Sequence, residues 1–382
     1  MSLLSRLYDI QYWTRIHCAG AWRRLQHHTM PPQHFPVPTN VLFVVSGLIG
    51  DSVMCTPVLI EARRLWPKAR ITVLGKKHNC ELLTGLAVVD QLLVTPAIPF
   101  SLRKRRVLRE LDVLLAAGEF DTAIILLGDE FAPTLERANI ATRVGVAGHP
   151  LAPFLTHAYE IGSPRVWGPD ERLNALRVLG CEVHSLRPVL RTNEEAKLSA
   201  RKLRQQCGAK SDRYAVVHPF GSSARQHWPM ESVVALSDAL ALENLEPVLV
   251  GGPEFRSLSE RSLEKRHTPL VNTVGRSTLP ELAAILDGAA LVITTDSGPF
   301  HLAGALKRPI VGLFRKSRPE HAARYSCSRV LLGTAPVCER RCRWDWCHAT
   351  PCASMQALNV SDVMGEVRSI LTVDQGATHP NH

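Results

Sequence analysis

Residues 290–306, read as ALVITTDSGPFHLAGAL, decide the fold of the second half of the chain. The apolar run 291–293 is too short for a helix and predicts a buried strand. The DSGP segment then combines two helix-starting residue types, a glycine suited to a sharp turn and a proline suited to a first helical turn. The stretch therefore predicts strand, tight turn and helix, and a second buried strand follows at 309–314.

A helix that starts at the carboxyl end of a parallel strand is an anion site, since its free N–H groups and its dipole favour phosphate. We therefore predict phosphate binding at Asp296, Ser297 and Gly298, with a further hydrogen bond from His301. The alternative is an ordinary strand–helix joint with a capping aspartate and a packed histidine.

Composition limits the class of protein. A length of 382 residues suggests two domains, and the 45% apolar and 21% charged residues are typical of a globular protein. The net charge of +10 favours phosphorylated ligands or an anionic membrane surface, while the absence of any nucleic-acid motif argues against DNA or RNA. Because no apolar run reaches about 18 residues, we expect no membrane span. Six scattered cysteines are typical of a reduced, cytoplasmic protein.

The N-terminal segment, 1–40, lacks the continuous apolar core of a signal peptide. Within it, 3–25 has the spacing of a basic amphipathic helix rich in aromatic residues, and 30–38 is a proline-rich linker. The helix predicts peripheral membrane contact. The alternatives are a helix packed on the protein's own surface or a frayed tail.

Strands alternate with helices in the rest of the chain, which predicts parallel sheets covered on both faces. We expect a first Rossmann-like domain at 41–185, a second at 186–335, and a Cys-rich segment with a last helix and tail at 336–382. The predicted fold class is α/β, with two facing Rossmann-like domains, a central cleft, and ligands at the carboxyl ends of the strands. The predicted strands are 41–45, 70–74, 91–94, 122–127, 214–217, 247–250, 291–293 and 310–314. The predicted helices are 52–65, 101–117, 193–207, 230–242, 254–265, 279–287 and 360–371.

A cluster of cations opens the helix predicted at 101–117, where they oppose the helix dipole. An anionic lipid or a sugar phosphate would explain them, and a solvated basic face is the alternative. The cluster consists of Arg103, Lys104, Arg105 and Arg106.

An ordered set of motifs runs through 40–315. They are SGLIGDSVMCTP at 46–57, EARRLWP at 61–67, HPFG at 218–221, HWP at 227–229, VGGPE at 250–254 and TDSGPFHLA at 295–303. Together they resemble glycosyltransferase family 9, the lipopolysaccharide heptosyltransferase family.

The resemblance implies a GT-B fold and an inverting, metal-independent transfer without a cofactor. The nucleotide-sugar donor, ADP-heptose, would bind the C-terminal half. The acceptor, the anionic glycolipid of the lipopolysaccharide core, would bind the N-terminal half. The resemblance also implies that the enzyme acts at the inner face of the cytoplasmic membrane. The chain contains no Asp-x-Asp triplet, the pair that a metal-dependent glycosyltransferase would need.

The catalytic base of the family falls on Asp51 by this resemblance. Inversion needs one base to take the proton of the acceptor hydroxyl. Asp51 follows a glycine on a loop at a strand end, and we expect it to cap the next helix. A capping role alone is the alternative.

Donor contacts are predicted at three loops. Ser222, Ser223 and Arg225 would add phosphate contacts to those of the 296–301 turn. Gly252 and Glu254 would lie near the nucleoside. Where the family commonly has a lysine two residues before Trp-Pro, this chain has the neutral Gln226.

Four cysteines crowd into the C-terminal segment, and they could bind zinc, form two disulfides or stay free. They are Cys338, Cys342, Cys347 and Cys352. Residues 372–382 are predicted to be disordered.

Two other functions remain open at the sequence level. A GT-B epimerase would act on a nucleotide-sugar without a lipid acceptor, and would need further acid and base residues. A non-catalytic relative would keep the fold and bind a nucleotide, and Gln226 is the residue that favours it.

Overall fold

The computed structural model describes residues 35–96, 104–161, 166–264, 270–315, 325–335 and 352–377, with only the backbone of 104–106 and 373–377. The chain divides into two compact units after Pro188. The sequence placed this boundary three residues earlier, between 185 and 186.

The first unit is built on a parallel sheet of six strands in the order β3-β2-β1-β4-β5-β6. This is the Rossmann order, in which the chain reverses its direction of progress across the sheet between β1 and β4. The strands are β1 (Asn40–Val45), β2 (Arg70–Gly75), β3 (Gln91–Val94), β4 (Thr122–Leu127), β5 (Thr142–Val146) and β6 (His157–Tyr159).

The core of this unit lies on both faces of the sheet. Along β1, Val41, Phe43 and Val45 point into one apolar cluster, whereas Leu42 and Val44 point into another. Successive strand residues face opposite sides, so a strand buried on both faces is apolar throughout. The central strand was predictable for this reason.

Helices flank the sheet: α1 (Ile49–Met54), α2 (Thr56–Leu65), α3 (Lys77–Leu83), α4 (Lys104–Ala117), α5 (Ala132–Arg137), α6 (Gly168–Arg172) and α7 (Asn174–Arg177). The predicted helix at 52–65 is wrong in its details. The chain turns helical already at Ile49 and breaks at Cys55, where Thr56-Pro57 starts a new helix.

The second unit repeats the architecture with the order β12-β11-β10-β7-β8-β9, again fully parallel. Its switch point lies between β7 and β10. The strands are β7 (Tyr214–His218), β8 (Glu246–Leu249), β9 (Val271–Asn272), β10 (Leu291–Thr295), β11 (Ile310–Phe314) and β12 (Ser328–Leu332).

Helices of the second unit are α8 (Glu194–Gln206), α9 (Met230–Leu242), α10 (Arg256–Leu263), α11 (Leu279–Asp287), α12 (Gly298–Ala305), α13 (Ala353–Gln356) and α14 (Val360–Ala377). The last helix packs against α9, and Arg368 donates to Glu243 at 2.7 Å. Because α14 continues to Ala377, the prediction of disorder from 372 is wrong for its first six residues. None of the helices that the structure describes has the length and apolar composition that crossing a membrane requires.

Candidate functional sites at the carboxyl edge of each sheet

Asp51 lies at the carboxyl edge of the first sheet, just beyond β1 and beside the switch point. It occupies the third position of α1, whereas Leu48 holds the N-cap and makes no side-chain cap. The expectation that Asp51 caps this helix is therefore wrong. Its carboxylate stands in the first helical turn, where the dipole favours negative charge.

The segment around Asp51 is fastened by α3. The buried Asn79 amide donates to the Gly47 carbonyl at 3.1 Å and to the Ser52 hydroxyl at 2.6 Å. The ring of His78 contacts the same carbonyl at 2.9 Å. These bonds hold the segment on both sides of Asp51 in one conformation.

The ion-pair partner of Asp51 is Arg172, at the end of α6. Its Nη2 lies 3.2 Å from Oδ1 of Asp51, and its Nη1 donates to the Gly168 carbonyl at 3.2 Å. The arginine side chain is 13% exposed and the aspartate side chain 35% exposed. Sequence reasoning missed Arg172, because an arginine in a short polar helix is normally solvated.

A thiol sits within this cluster but is not a nucleophile. Burial raises the pKa of Cys55 to about 11, although Arg172 opposes the shift. The thiol is therefore protonated at neutral pH, and it donates to the Asp51 carbonyl at 3.3 Å.

A second carboxyl group, Asp129, follows β4 on the other side of the switch point. Gly128 precedes it with φ of +106°, a conformation that favours glycine. Burial raises the pKa of Asp129, opposed by the nearby His149. The sequence did offer a signal here, since Asp129 lies in the loop after a predicted strand, as Asp51 and Asp296 do.

In the second unit, the strands β10, β7 and β8 are neighbours, so their three loops lie side by side. His218 ends β7, and its Nδ1 lies 3.2 Å from the Ser297 hydroxyl. The Thr295 hydroxyl donates to the Phe220 carbonyl. The structure thus brings the predicted phosphate turn and the 218–223 loop together.

Aromatic rings connect the third loop. Phe220 and Phe255 stack with centroids 4.3 Å apart and planes 2° apart, and His227 meets Phe255 edge-on at 5.2 Å. Gly252 and Glu254, predicted near the nucleoside, flank this stack on the β8 side. Gly252 is half-buried and Glu254 is exposed. Their assignment to the nucleoside site remains a prediction.

Two residues of the phosphate turn cannot donate a backbone N–H to a ligand. Pro299 has no N–H, and the amide of Phe300 donates to the Ser297 carbonyl at 3.1 Å. Ser297 is the N-cap of α12, yet its hydroxyl donates to the Thr295 carbonyl at 3.1 Å instead of capping the helix. The amides of Ser297 and Gly298 remain the candidate donors to a phosphate.

His301 lies one turn into α12 and is buried. Its Nδ1 is 3.3 Å from the Tyr325 hydroxyl, and its ring meets that of Phe300 edge-on at 5.5 Å. These contacts fit a packed histidine. A role at the donor phosphates stays a prediction, as does that of Asp296.

Gln226 shapes the loop that was predicted to contact phosphate. Its Oε1 accepts from the Ser222 hydroxyl at 2.8 Å and from the Ser223 amide at 3.2 Å. Arg225 stands beside it on the short turn Ala224–Gln226 and is half-buried. The side chain of Gln226 therefore stabilises the conformation of the loop that contains Ser222 and Ser223.

Several predicted features lie wholly or partly outside the described residues. The basic amphipathic helix predicted at 3–25 is outside, as are 30–34 of the proline-rich linker and 378–382 of the predicted tail. Arg103 is outside, and Lys104, Arg105 and Arg106 are seen only as the backbone that starts α4. Cys338, Cys342 and Cys347 are outside as well. Cys352 is buried in the apolar core of the second unit.

A cavity of about 380 Å³ lies at the opposite edge of the second sheet. Its lining includes Arg204, Tyr214 and Arg308, which stand at or before the amino ends of strands. Ligands of open parallel sheets bind at the carboxyl ends. The cavity therefore does not coincide with the predicted donor site.

The arrangement provides two kinds of chemistry. The first unit holds an ionisable carboxylate beside a buried guanidinium, which suits proton removal from a hydroxyl group. The second holds backbone amides and hydroxyls at a helix start, which suits a diphosphate.

Comparison with known proteins identifies the family and the fold. The sequence model described as glycosyltransferase family 9 (heptosyltransferase) matches residues 111–348. Lipopolysaccharide heptosyltransferase 3 of Escherichia coli K12 is 25% identical over 278 residues, covering 69% of this chain and 79% of that protein.

Two solved structures have the same fold. A glycosyltransferase family 9 protein from Veillonella parvula superposes with a TM-score of 0.76 at 19% identity, covering 87% of this chain and 97% of the other. The E. coli ADP-heptose lipopolysaccharide heptosyltransferase II superposes with a TM-score of 0.73 at 20% identity, covering 88% and 100%. The family match begins after Asp51, so the base assignment does not rest on it. The chain therefore belongs to glycosyltransferase family 9, the heptosyltransferase family, and is a glycosyltransferase of the GT-B fold class.

Proposed function

We propose that the protein transfers a heptose from ADP-heptose to the core of lipopolysaccharide, with inversion and without a metal ion. The observation that carries this proposal is the helix start at Ser297–Gly298, at the switch point of the second sheet, inside the segment that matches the heptosyltransferase family. Relatives named for ADP-heptose and for lipopolysaccharide support the donor and the acceptor.

Asp51 is the base of the proposed reaction. It takes the proton of the acceptor hydroxyl while the hydroxyl oxygen forms a bond to the anomeric carbon of the heptose. The bond from that carbon to the diphosphate breaks, and ADP leaves with the electron pair. The amides of Ser297 and Gly298 stabilise the charge that ADP gains. The absence of any Asp-x-Asp triplet supports a reaction without a metal ion.

We place the enzyme in the cytoplasm, peripheral on the inner face of the cytoplasmic membrane. The net charge of +10 and the basic amphipathic segment 3–25 support this placement. The full chain is expected to sediment with vesicles that contain anionic lipid, and not with neutral ones, at low salt.

The test of the proposed function is a transfer assay with the full chain, a lipopolysaccharide core acceptor, and ADP-heptose, UDP-glucose or GDP-mannose as donor. Product with ADP-heptose alone, unchanged by EDTA, is the expected result. Product with another donor would show a different donor specificity but would still support a transferase. Nucleotide binding without product from any donor would favour the non-catalytic relative, and interconversion of the free nucleotide-sugar would favour the epimerase.

A further inference from the structure

We propose that Arg172 is the positioning residue of the catalytic base, and that it orients the carboxylate of Asp51 toward the acceptor hydroxyl. The inference rests on the proposed function, since it takes Asp51 as the base. Arg172 touches neither substrate in this account and acts through Asp51 alone.

The exposure of the two side chains favours this division of roles. Arg172 is 13% exposed, and Asp51, at 35%, remains open to a substrate. The guanidinium thus approaches the carboxylate from the protein side. A substrate hydroxyl can approach from the solvent side.

The contact involves one carboxylate oxygen. Within the part of the chain that the structure describes, Asp51 receives its side-chain hydrogen bond at Oδ1, from Nη2 of Arg172 at 3.2 Å. Oδ2 is therefore the oxygen available to take a proton. A bidentate pair would have occupied both oxygens.

The guanidinium makes a further hydrogen bond besides that to Asp51. Its Nη1 donates to the Gly168 carbonyl at 3.2 Å, and its charge acts on the neighbouring Cys55 thiol. The charged and titratable groups around it are Asp51 and Cys55 on the α1–α2 side and Tyr159 on β6, with Asp129 acting on Tyr159. The thiol and the phenol are protonated at neutral pH, which leaves Asp51 as the anion facing the guanidinium.

Stability alone does not account for the pair. A buried arginine is costly to desolvate, and apolar replacements of buried ion pairs are often neutral or stabilising. A cation aimed at a single half-exposed carboxylate, across 121 residues of sequence, is instead typical of a functional site.

The experiment compares Arg172→Met and Arg172→Lys with a matched control, Arg143→Met. Arg143 lies on β5 in the same unit, is 15% exposed, and donates to backbone carbonyls of Phe154 and Ile140 at 2.7 and 2.6 Å. Transfer from ADP-heptose to lipopolysaccharide core is measured for each variant as kcat and donor KM.

For Arg172→Met we expect kcat to fall about 100-fold with the donor KM unchanged. Arg172→Lys should recover part of kcat, since it keeps the charge but not the fork of donors. Arg143→Met should keep the wild-type kcat and donor KM.

Wild-type kcat in Arg172→Met, or a donor KM that changes as much as kcat, would overturn the inference. Where that variant does not fold, Arg172→Lys decides: reduced kcat at the wild-type melting temperature supports the role, and wild-type kcat contradicts it. The Asp51→Asn variant distinguishes a failure of this inference from a failure of the proposed function. If it is inactive while Arg172→Met is normal, only the inference fails. If it is fully active, or if wild type transfers no heptose, the proposed function fails and the inference with it.

Discussion

The side-chain amide of Asn79 donates to the hydroxyl of Ser52 at 2.6 Å, across 27 residues of sequence. The same amide reaches the carbonyl of Gly47 at 3.1 Å, and Oδ1 accepts from the Lys76 amide at 2.9 Å. One fully buried side chain therefore ties the start of α3 to both sides of Asp51.

Replacing this residue tests how strongly the segment is fixed. Asn79→Ala leaves the Lys76 amide without its side-chain partner and removes one of the two side-chain contacts of the Gly47 carbonyl, which should cost about 2–3 kcal/mol of unfolding free energy. We also expect a lower kcat, because the segment that holds Asp51 loosens. Urea unfolding and the transfer assay measure the two effects. Thr84→Ala, which removes a hydrogen bond from an exposed residue to the carbonyl of Cys80, should change little. Equal effects of both changes would contradict this role of Asn79.

The loop at Gln226 offers a test of the donor site that leaves the fold intact. Gln226→Glu keeps an acceptor for the Ser222 hydroxyl and the Ser223 amide, but it adds a negative charge beside the predicted diphosphate site. We expect unchanged thermal stability and ADP affinity about tenfold weaker, roughly 1.4 kcal/mol. Calorimetric titration at two salt concentrations measures this, and the difference should shrink at high salt. Unchanged ADP affinity would place the diphosphate elsewhere.

The pH dependence of stability should report the burial of His218. Burial, assisted by the nearby His227, lowers the pKa of His218 from 6.5 to about 3. Between these values the unfolded chain binds a proton that the folded chain does not, so stability is complete above pH 6.5 and falls with decreasing pH.

The slope is at most about 1.4 kcal/mol per pH unit from this one residue. Urea unfolding from pH 7 to pH 5 should give a shallower decline for His218→Gln than for wild type. Burial also lowers the pKa values of His157 and His227, but these two residues are present in both proteins. Parallel declines would show that His218 is not buried in its neutral form.

Alanine substitutions at two glycines should change the unfolding free energy in opposite directions. A Cβ on Gly251 would lie 2.7 Å from the ring of Phe220, which is 1% exposed and stacked on Phe255. Gly251→Ala should therefore lower the unfolding free energy by about 1–3 kcal/mol. In contrast, a Cβ on Gly365 meets nothing within 4 Å and lies in a helix. Gly365→Ala should raise it by about 0.5–1 kcal/mol. Destabilisation of similar size at both glycines would contradict this description of the packing.

Most of the inner strands and the positions of their loops could be predicted from sequence, because strands buried on both faces are apolar throughout. Four of the strands that the structure describes were missed: β5, β6, β9 and β12. β5 contains an arginine and a glycine, β6 has three residues and begins with a histidine, β9 has two residues, and β12 is half-exposed along its length. Such strands form because a neighbouring strand supplies their hydrogen bonds. The periodicity of apolar residues in the sequence does not reveal that pairing.

The residues of the candidate site were also predicted only in part. Asp51 and Ser297 follow strands that the sequence identifies, so both were placed at sheet edges. Arg172 reaches Asp51 only through the packing of α6 within the first unit, and α6 itself was not among the helices predicted from the sequence. The cap assigned to Asp51 failed because α1 begins three residues before the local signal suggests.

The most direct test of the central claim is the heptose transfer rate of Asp51→Asn, measured in a single turnover with ADP-heptose and lipopolysaccharide core. The account predicts a rate at least about 100-fold below wild type, with ADP affinity unchanged, because the amide cannot take the acceptor proton and the donor binds the second unit. Transfer at the wild-type rate, or loss of ADP binding, would contradict the assignment of Asp51 as the base.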